Sequence, residues 1–256
     1  MKPNLPIHLF LLLAIVTMTL ADSAMADPQL QRRVYYALNS PDRPEGDWER
    51  DFERRPIEVM NFFGIDEGMT ILEMMAGQGY YTELLSAAAG NNGKVYAHNE
   101  LMAMRMRYGA YEKAMKKRLS NNRLPNVELL IQKSDNLQLE GVADAATLIL
   151  NLHDLYIYGG EERALAVLSS IFIALKPGGI LGIVDHVGSP ELDNTHLHRI
   201  DPVIIDELLY RAGFIVNSRS DVLSNMEDDH SLHVFEPTIK GQTDRLLIRA
   251  LKPNYP

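Results

Sequence analysis

The 256-residue chain contains no cysteine. It therefore cannot form a disulfide, a thiolate metal site or a cysteine nucleophile. Basic residues are also scarce, since 25 Lys and Arg face 34 Asp and Glu and leave a formal net charge of −9. Nucleic-acid binders usually carry a basic stripe, and docking on anionic lipid needs clustered basic residues. The sequence therefore predicts neither kind of partner.

Long apolar runs are missing too, apart from one near the N-terminus. Residues Ile7 to Leu20 are almost all apolar, they follow the basic Lys2, and an A-x-A pattern lies at Ala24–Ala26. This arrangement is typical of a secretory signal peptide and predicts cleavage before Asp27, with export to the periplasm. The run is short for a membrane-spanning helix, although an uncleaved N-terminal anchor is the alternative. After cleavage we expect no stable membrane insertion.

The rest of the chain divides into an N-terminal arm and one α/β domain. Residues 27–56 are polar and rich in turn-forming residues, with one short helix expected around Leu30–Leu38. From residue 57 to 256, apolar runs alternate with helical patterns, which predicts a doubly wound, mainly parallel sheet. The predicted strands are 70–72, 94–98, 127–131, 145–150, 180–184, 214–218 and 245–251, and the predicted helices are 57–63, 80–89, 102–119, 161–175 and 201–212. Because no helix fits between Val222 and Asp244, the last strand is predicted to be antiparallel.

The stretch Thr70–Leu85, TILEMMAGQGYYTELL, joins the first strand to a helix through a glycine turn. Gly77 and Gly79 allow a ligand to approach the backbone closely, and the helix N-terminus adds free N–H groups. Glu73, at the end of the strand, can accept a hydrogen bond from a hydroxyl or an ammonium group. The stretch predicts a site for a polar or anionic ligand, although many strand–helix junctions use glycine only for structure.

Together with later motifs, this stretch resembles the class I S-adenosylmethionine-dependent methyltransferases. The resemblance runs from Ile57 to Lys252 and rests on ILEMMAGQGYYTE, KVYAHNE, the Asp135-Asn136 pair, NLHD, ALKPGG and the late antiparallel strand. The chain is similar, more narrowly, to exported bacterial proteins of the same family that carry HD, DH, LHRID and DDH elements. The resemblance implies a Rossmann-like sheet of seven strands, S-adenosylmethionine as cofactor, and methyl transfer to a small-molecule acceptor.

The resemblance also implies which residues bind the cofactor. They are Glu73, Ala76, Gly77, Gly79, Tyr80, Asn99, Glu100, Asp135, Asn136 and Asn151. Glu73 would lie near the methionine ammonium group, and the glycine turn would cradle the cofactor. Asn99 or Glu100 would bind the ribose hydroxyls, and Asp135 would accept a hydrogen bond from the adenine amino group.

Two positions depart from the family's pattern. Met75 stands where the turn usually has its first glycine, and its side chain would crowd the turn. Asn99 stands where an acidic residue usually binds the ribose, and its neutral amide weakens that contact unless Glu100 replaces it. A nicotinamide dinucleotide enzyme is the alternative, with Thr82 at the third glycine's place. The Lys-Pro-Gly-Gly turn and the antiparallel last strand argue against that alternative.

The histidines suggest where chemistry takes place. His98, His153 and His186 all follow the ends of parallel strands, so they should gather on one rim of the sheet. Methyl transfer to oxygen or nitrogen needs a base, and histidine suits proton transfer near neutral pH. His153 with Asp154, and His186 with Asp185, are therefore the candidate catalytic pairs. Each histidine could instead be a hydrogen-bonded loop residue.

The sequence leaves two further alternatives open, a metal site and a protein without catalysis. Nitrogen and oxygen atoms suited to a metal ion occur at Asp185, His186, His196, His198, Asp229 and His230. No H-x-x-x-H pair on a helix supports such a site, so the sequence predicts no metal. The second functional hypothesis is an exported binding or scaffold protein that keeps the fold without catalysis. It draws on the export signal, because S-adenosylmethionine is made in the cytoplasm, and on Met75 and Asn99, which depart from the family's pattern.

Overall fold

The computed structural model describes residues 27–254. The predicted signal peptide, residues 1–26, lies outside the described residues, so its cleavage and the predicted export stay predictions. Within residues 27–254, no helix has both the length and the apolar character needed to cross a membrane.

A seven-stranded sheet forms the centre of the molecule. Its strands are β1 (Thr70–Met74), β2 (Lys94–Asn99), β3 (Val127–Ile131), β4 (Ala143–Ile149), β5 (Leu175–His186), β6 (Ile215–Ser220) and β7 (Arg245–Leu251). The spatial order is β3-β2-β1-β4-β5-β7-β6, and β7 runs antiparallel to both β5 and β6 while the other neighbouring strands are parallel. This confirms the predicted fold class, including the antiparallel last strand.

Helices cover both faces of the sheet. They are α1 (Pro28–Leu38), α2 (Asp51–Arg54), α3 (Pro56–Phe63), α4 (Tyr80–Ala89), α5 (Leu101–Leu119), α6 (Leu152–Ala174), α7 (Asn194–Leu197) and α8 (Pro202–Arg211). One apolar core lies between the sheet and α1, α3 and α4, and a second lies between the sheet and α6 and α8. Leu30 and Val34 of α1 are fully buried in the first core, so this part of the predicted arm belongs to the body of the domain.

Two helices, α6 and α5, differ from the prediction. Residues 152–159, predicted as a loop, are helical from Leu152, and the non-helical backbone of Gly160, with φ 73° and ψ 178°, separates them from the predicted helix that begins at Glu161. The prediction was wrong because the first helical turn is supported from outside the segment: the backbone N–H of His153 donates to Asp185 Oδ2 at 2.9 Å. Helix α5 is interrupted by non-helical backbone from Met106 to Gly109.

The predicted Lys-Pro-Gly-Gly turn is present as an interruption of β5. Leu175 pairs with Ala143, and the next pair is Ile180 with Ala145, so residues 176–179 loop out of the ladder. The strand then runs straight to Asp185 and His186. This places an acid–histidine pair at the carboxyl edge of the sheet, beside the end of β4.

Candidate cofactor and acceptor site

The turn between β1 and α4 is held from behind by Asn99. The Asn99 Oδ1 accepts from Gly77 N–H at 2.9 Å, and its Nδ2 donates to the Gly77 carbonyl at 3.1 Å. Asn99 is 1% exposed. The backbone of Gly77 (φ 60°) and of Gly79 (φ 85°) is left-handed, a conformation that glycine adopts readily. Asn99, which the resemblance implied would bind ribose, thus uses its amide to hold the glycine turn.

Met75 occupies the same turn under strain. Its φ is 53°, in the left-handed region that a side chain with a Cβ disfavours. Such backbone costs on the order of 1–3 kcal/mol and persists where the surroundings enforce it. The Met75 side chain is half-buried, and the residue lines the cavity in front of the turn. Methionine therefore fits at this position, although it takes up space that a glycine would leave open.

Glu73 is the buried acid of the site. It is 4% exposed, and Thr82 Oγ1 of α4 donates to its Oε2 at 2.5 Å. Burial raises the pKa of Glu73 to about 7, although the hydrogen bond from Thr82 and the charge of Arg118 act in the opposite direction. A carboxyl group in this state can be ionised by a cationic ligand at little cost, since it is near its midpoint at neutral pH.

A cavity of about 210 Å³ opens in front of the turn. Besides Glu73 and Met75, it is lined by two arginines that the sequence analysis did not single out, Arg50 and Arg54. Their guanidinium carbons lie 4.7 and 4.8 Å from the ring centre of Tyr80. Arg54 Nε is buried and has no hydrogen-bond partner among residues 27–254. The spacing of four between these arginines was the available signal, because it places them on one helical face.

The acids at the ends of β2 and β3 are tied together by Arg163 of α6. Glu100 Oε1 accepts from Arg163 Nη2 at 2.6 Å and from the backbone N–H of Ser134 at 2.8 Å. Arg163 Nη1 donates to Asp135 Oδ2. Asn136, next in the chain, is exposed. Arg163 was not predicted from the sequence, because it lies 63 residues from Glu100. Both acids face one arginine and remain together at this end of the site.

His153, Asp154, Asp185, His186 and His198, here called the histidine rim, lie together at the ends of β4 and β5. Asp185 is fully buried, and its Oδ1 lies 2.5 Å from His153 Nδ1 and 2.8 Å from the backbone N of His186. The ring centres of His153 and His186 are 5.4 Å apart. His153 and His186 gather with a carboxylate as predicted, whereas His98, predicted on the same rim, is buried at the end of β2, where its Nδ1 accepts from the Met75 backbone N–H at 3.4 Å. Asn151, also predicted here, uses its Nδ2 to donate to the Ile149 carbonyl at 2.6 Å.

The charges of the rim differ from one histidine to the next. Burial lowers the pKa of His153, but the carboxylates of Asp185 and Asp154 outweigh burial and hold it above the ordinary value. Burial also lowers the pKa of His186, to about 3, and its Nδ1 lies 2.7 Å from Thr243 Oγ1. His153 is thus the proton-accepting member of the pair, whereas His186 stays neutral near pH 7.

The loop that follows β5 brings a third histidine to the rim. His198 Nδ1 lies 3.2 Å from Asp154 Oδ1, and His198 Nε2 lies 2.8 Å from the hydroxyl of Tyr158. His196, two residues earlier, is exposed, and His230 Nε2 lies 3.0 Å from Asp244 Oδ2 instead. Of the possible metal ligands His196, His198 and His230, only His198 lies beside His153 and Asp154.

Arg199 locks the loops that flank the rim. Its side chain is fully buried and forms a two-pronged ion pair with Asp228, at 2.9 and 3.0 Å. Its remaining N–H groups donate to the carbonyls of Val187 and Leu232. All five donors of the guanidinium are therefore satisfied within the protein. Arg199 fixes the loop after β5 against the loop between β6 and β7.

The cavity and the histidine rim open on the same edge of the sheet. β4 pairs with β1 on one side and with β5 on the other, and all three are parallel. Thr147 and Ile149 of β4 line the cavity, and His153 follows in the next helical turn. In open α/β sheets, ligands bind at the carboxyl ends of the strands. The arrangement offers a cavity with a buried acid and arginines, beside a rim that can accept protons.

No family model and no curated protein matches the sequence. Solved structures do match the fold. An S-adenosylmethionine-dependent methyltransferase from Aquifex aeolicus is 20% identical with a TM-score of 0.59, covering 86% of this chain and 97% of its own. The [4+2]-cyclase SpnF is 19% identical with a TM-score of 0.56, covering 89% and 97%. A methyltransferase-like protein from Bacillus halodurans is 17% identical with a TM-score of 0.54, covering 77% and 98%. The chain therefore has the fold of the class I S-adenosylmethionine-dependent methyltransferases.

Proposed function

We propose that the chain binds S-adenosylmethionine in the cavity at the β1–α4 turn and transfers its methyl group to a small acceptor at the histidine rim. The observation that carries this proposal is the buried Glu73 beside the left-handed glycine turn, with a proton-accepting rim on the adjoining strands. When bound, the cofactor would supply a methyl group activated by its sulfonium.

The residues present fit the charged end of the cofactor. Because its pKa is raised to about 7, Glu73 is partly ionised near neutral pH, and a bound ammonium group would favour its fully ionised form. Arg54 has a buried N–H without a partner among the described residues, as expected of a group that binds a carboxylate. The amide of Asn99 shapes the turn, so Glu100 and Asp135 are the acids left to bind ribose and adenine. Both would share their oxygens with Arg163.

His153 is the residue we assign to the acceptor's proton. An oxygen or nitrogen that gains a methyl group must lose a proton, and a base placed beside it lowers the barrier. With Nδ1 turned to Asp185, the Nε2 of His153, which lies 3.3 Å from Asp154 Oδ1, is the nitrogen left to take that proton. Asp185 both orients the ring and stabilises the imidazolium that forms. His186 and Asp154 complete the walls of the acceptor site.

Isothermal titration with S-adenosylmethionine and with S-adenosylhomocysteine tests the cofactor part of the proposal. We expect one binding site per chain, weakened about tenfold or more in Arg54→Ala, because a hydrogen bond to a charged group is worth about 1.5–3 kcal/mol. Arg55→Ala is the matched control, since the Arg55 side chain is exposed and pairs with Glu58. No binding of either compound at millimolar concentration would sink the proposal.

A binding protein without catalysis is the second candidate. Two observations favour it: the strained Met75 in the turn, and the sharing of Glu100 and Asp135 with Arg163. SpnF, named as a cyclase, has the same fold, and fold alone does not fix a reaction. Transfer of labelled methyl groups to a broad panel of small hydroxyl and amine compounds separates the two. Cofactor binding without any transfer would favour the binding protein.

A further inference from the structure

We propose that His153, Asp154 and His198 form a binding site for one divalent transition-metal ion. Each residue offers one ligand atom, and these atoms all lie within 4.8 Å of one another. Asp154 Oδ1 lies 3.3 Å from His153 Nε2 and 3.2 Å from His198 Nδ1. The two histidines come from different parts of the chain, the start of α6 and the loop after β5, so the fold brings them together.

The spacing suits a metal ion of the size of Zn²⁺. Zinc–nitrogen and zinc–oxygen bonds are about 2.0–2.1 Å long, so two ligands in a tetrahedral arrangement lie about 3.4 Å apart. The separations of 3.2 and 3.3 Å around Asp154 match that value. Two imidazoles and one carboxylate are ligands for Zn²⁺ or Fe²⁺ rather than for Mg²⁺ or Ca²⁺, which prefer oxygen.

Both histidines are held in the orientation that a metal ligand needs. His153 Nδ1 lies 2.5 Å from Asp185 Oδ1, so the proton of a neutral ring sits on Nδ1 and the lone pair of Nε2 faces Asp154. His198 Nε2 lies 2.8 Å from the hydroxyl of Tyr158, whose oxygen can accept a hydrogen bond from Nε2–H, and in that tautomer Nδ1 carries a lone pair. A carboxylate that anchors the far nitrogen is the usual support of a metal-bound histidine.

The ligand atoms also lack other partners. Within residues 27–254, Asp154 Oδ1 and His198 Nδ1 are buried and form no hydrogen bond. Buried polar atoms are nearly always paired, because an unpaired one loses its interaction with water. When both imidazole nitrogens are unprotonated, their lone pairs and the carboxylate oxygen of Asp154 repel one another, and either a proton or a metal ion between them removes that repulsion. A metal ion satisfies all three at once.

The site deepens the proposed function and rests on it in one respect, the nature of the acceptor. Three protein ligands leave a position open, as catalytic zinc sites do. An acceptor whose oxygen or nitrogen occupies that position would lose its proton more readily, because the ion stabilises the resulting negative charge. The acceptor's lone pair then forms the bond to the methyl carbon. The carbon–sulfur bond breaks with its electron pair left on sulfur, and the proton passes to solvent. With the ion bound, His153 acts as its ligand rather than as the base.

Titration of the purified protein with Zn²⁺ tests the site directly. The protein carries no polyhistidine tag, is first stripped with chelator, and is kept free of cofactor, so the readout does not depend on methyl transfer. We expect one ion per chain, binding at least a hundredfold weaker in His198→Ala and Asp154→Asn, and 10–100-fold weaker in Asp185→Asn. His196→Ala is the matched control, an exposed histidine of the same loop, and should bind as the unaltered protein does.

The outcomes separate the metal site from the proposed function. No saturable binding, equal binding in the His198 and Asp154 variants, or equal weakening in His196→Ala would overturn the site. Circular dichroism checks the fold of each variant, and X-ray absorption of the zinc-loaded unaltered protein must show two imidazole ligands, which needs no variant. Cofactor titration is run separately on the same samples. Zinc binding without cofactor binding would support the metal site and contradict the proposed methyltransferase. Cofactor binding without zinc binding would support the methyltransferase and overturn the metal site.

Discussion

The carboxylate of Asp185 holds His153 at two points. Its Oδ2 accepts from the His153 backbone N–H at 2.9 Å, and its Oδ1 lies 2.5 Å from His153 Nδ1. One side chain at the end of β5 therefore supports the first turn of α6 and sets the direction of the histidine ring. The order of the rim depends on this one carboxylate.

Asp185→Asn should reduce methyl transfer by about a hundredfold or more while cofactor affinity stays within about twofold. The amide keeps the size of the side chain but loses the charge that orients His153, and comparable changes in catalytic and metal-bound histidines cost 10–100-fold or more. Turnover and cofactor titration measure the two effects. Asp206→Asn is the control, because Asp206 forms a surface ion pair with Arg219, of a kind that contributes little. Equal turnover of the two variants would contradict the role of Asp185.

Met75→Gly should bind S-adenosylmethionine more tightly, by up to about tenfold. Glycine adopts a φ of 53° without strain, and the loss of the side chain enlarges the cavity. The free energy of unfolding should change little, since relief of strain is offset by lost packing and by the freer unfolded chain. Met75→Ala separates the two causes, because it empties the same space but keeps the strain. Weaker binding in both variants would mean that the Met75 side chain contacts the cofactor.

Cofactor binding should strengthen as the pH rises from 6 to 8. The pKa of Glu73, about 7, lies above the ordinary value of 4.5, so the folded protein holds this carboxyl protonated below pH 7. An ammonium ligand requires the ionised form, and binding below pH 7 must release that proton, at a cost approaching tenfold in affinity for each pH unit. Titrations from pH 6 to 8 in buffers of matched ionic strength measure the slope. Glu73→Gln should flatten it, and an unchanged slope would assign the proton to another group.

The same group predicts how stability varies with pH in the free protein. Because the pKa of Glu73 is raised on folding, its neutral form favours the folded state. Its contribution is fully present below pH 4.5 and is lost as the pH rises through about 7. Urea unfolding across this range should show the free energy of unfolding falling more steeply in the unaltered protein than in Glu73→Gln. Parallel curves for the two proteins would count against a neutral Glu73.

Asn99→Asp should weaken cofactor binding, although it restores the acid that the family usually has at this place. Aspartate cannot donate to the Gly77 carbonyl as the Asn99 amide does, and it adds a buried charge behind the turn. We expect a loss of about 1–3 kcal/mol in the free energy of unfolding, measured with urea, and a higher Kd for the cofactor. Asn91→Asp, in the exposed turn after α4 and away from the cavity, is the control. Tighter binding in Asn99→Asp would show that the family's ribose contact is available here.

The sheet could be predicted from the sequence because its strands are apolar runs and its chain direction follows from what fits between them. The absence of a helix-sized segment before β7 was enough to predict an antiparallel last strand. The start of α6 could not be predicted, because the support for its first turn comes from Asp185, 32 residues away. The glycines at 159 and 160 indicated a break, and the backbone of Gly160 does separate two helical stretches, of which the sequence predicted only the second.

The site was predictable only in part, for a similar reason. The carboxyl ends of parallel strands share one edge of the sheet, and for this reason His153 and His186 could be predicted to lie close together. Nothing in the spacing distinguished His198 from His196. In the structure His198 has left-handed backbone, with φ 58°, and its ring lies 5.5 Å from that of His153, whereas His196 is exposed. Arg163 escaped prediction because its partners lie far away in sequence, and Arg54 because no acceptor for its Nε–H lies among the described residues.

The buried pair of Arg199 and Asp228 limits how the acceptor can enter. Opening either loop alone would leave one of these charges without its partner, which commonly costs 3–5 kcal/mol. The two loops should therefore move together or not at all. An acceptor site beside such paired loops would keep its dimensions, and it would therefore select acceptors by their size as well as by their chemistry.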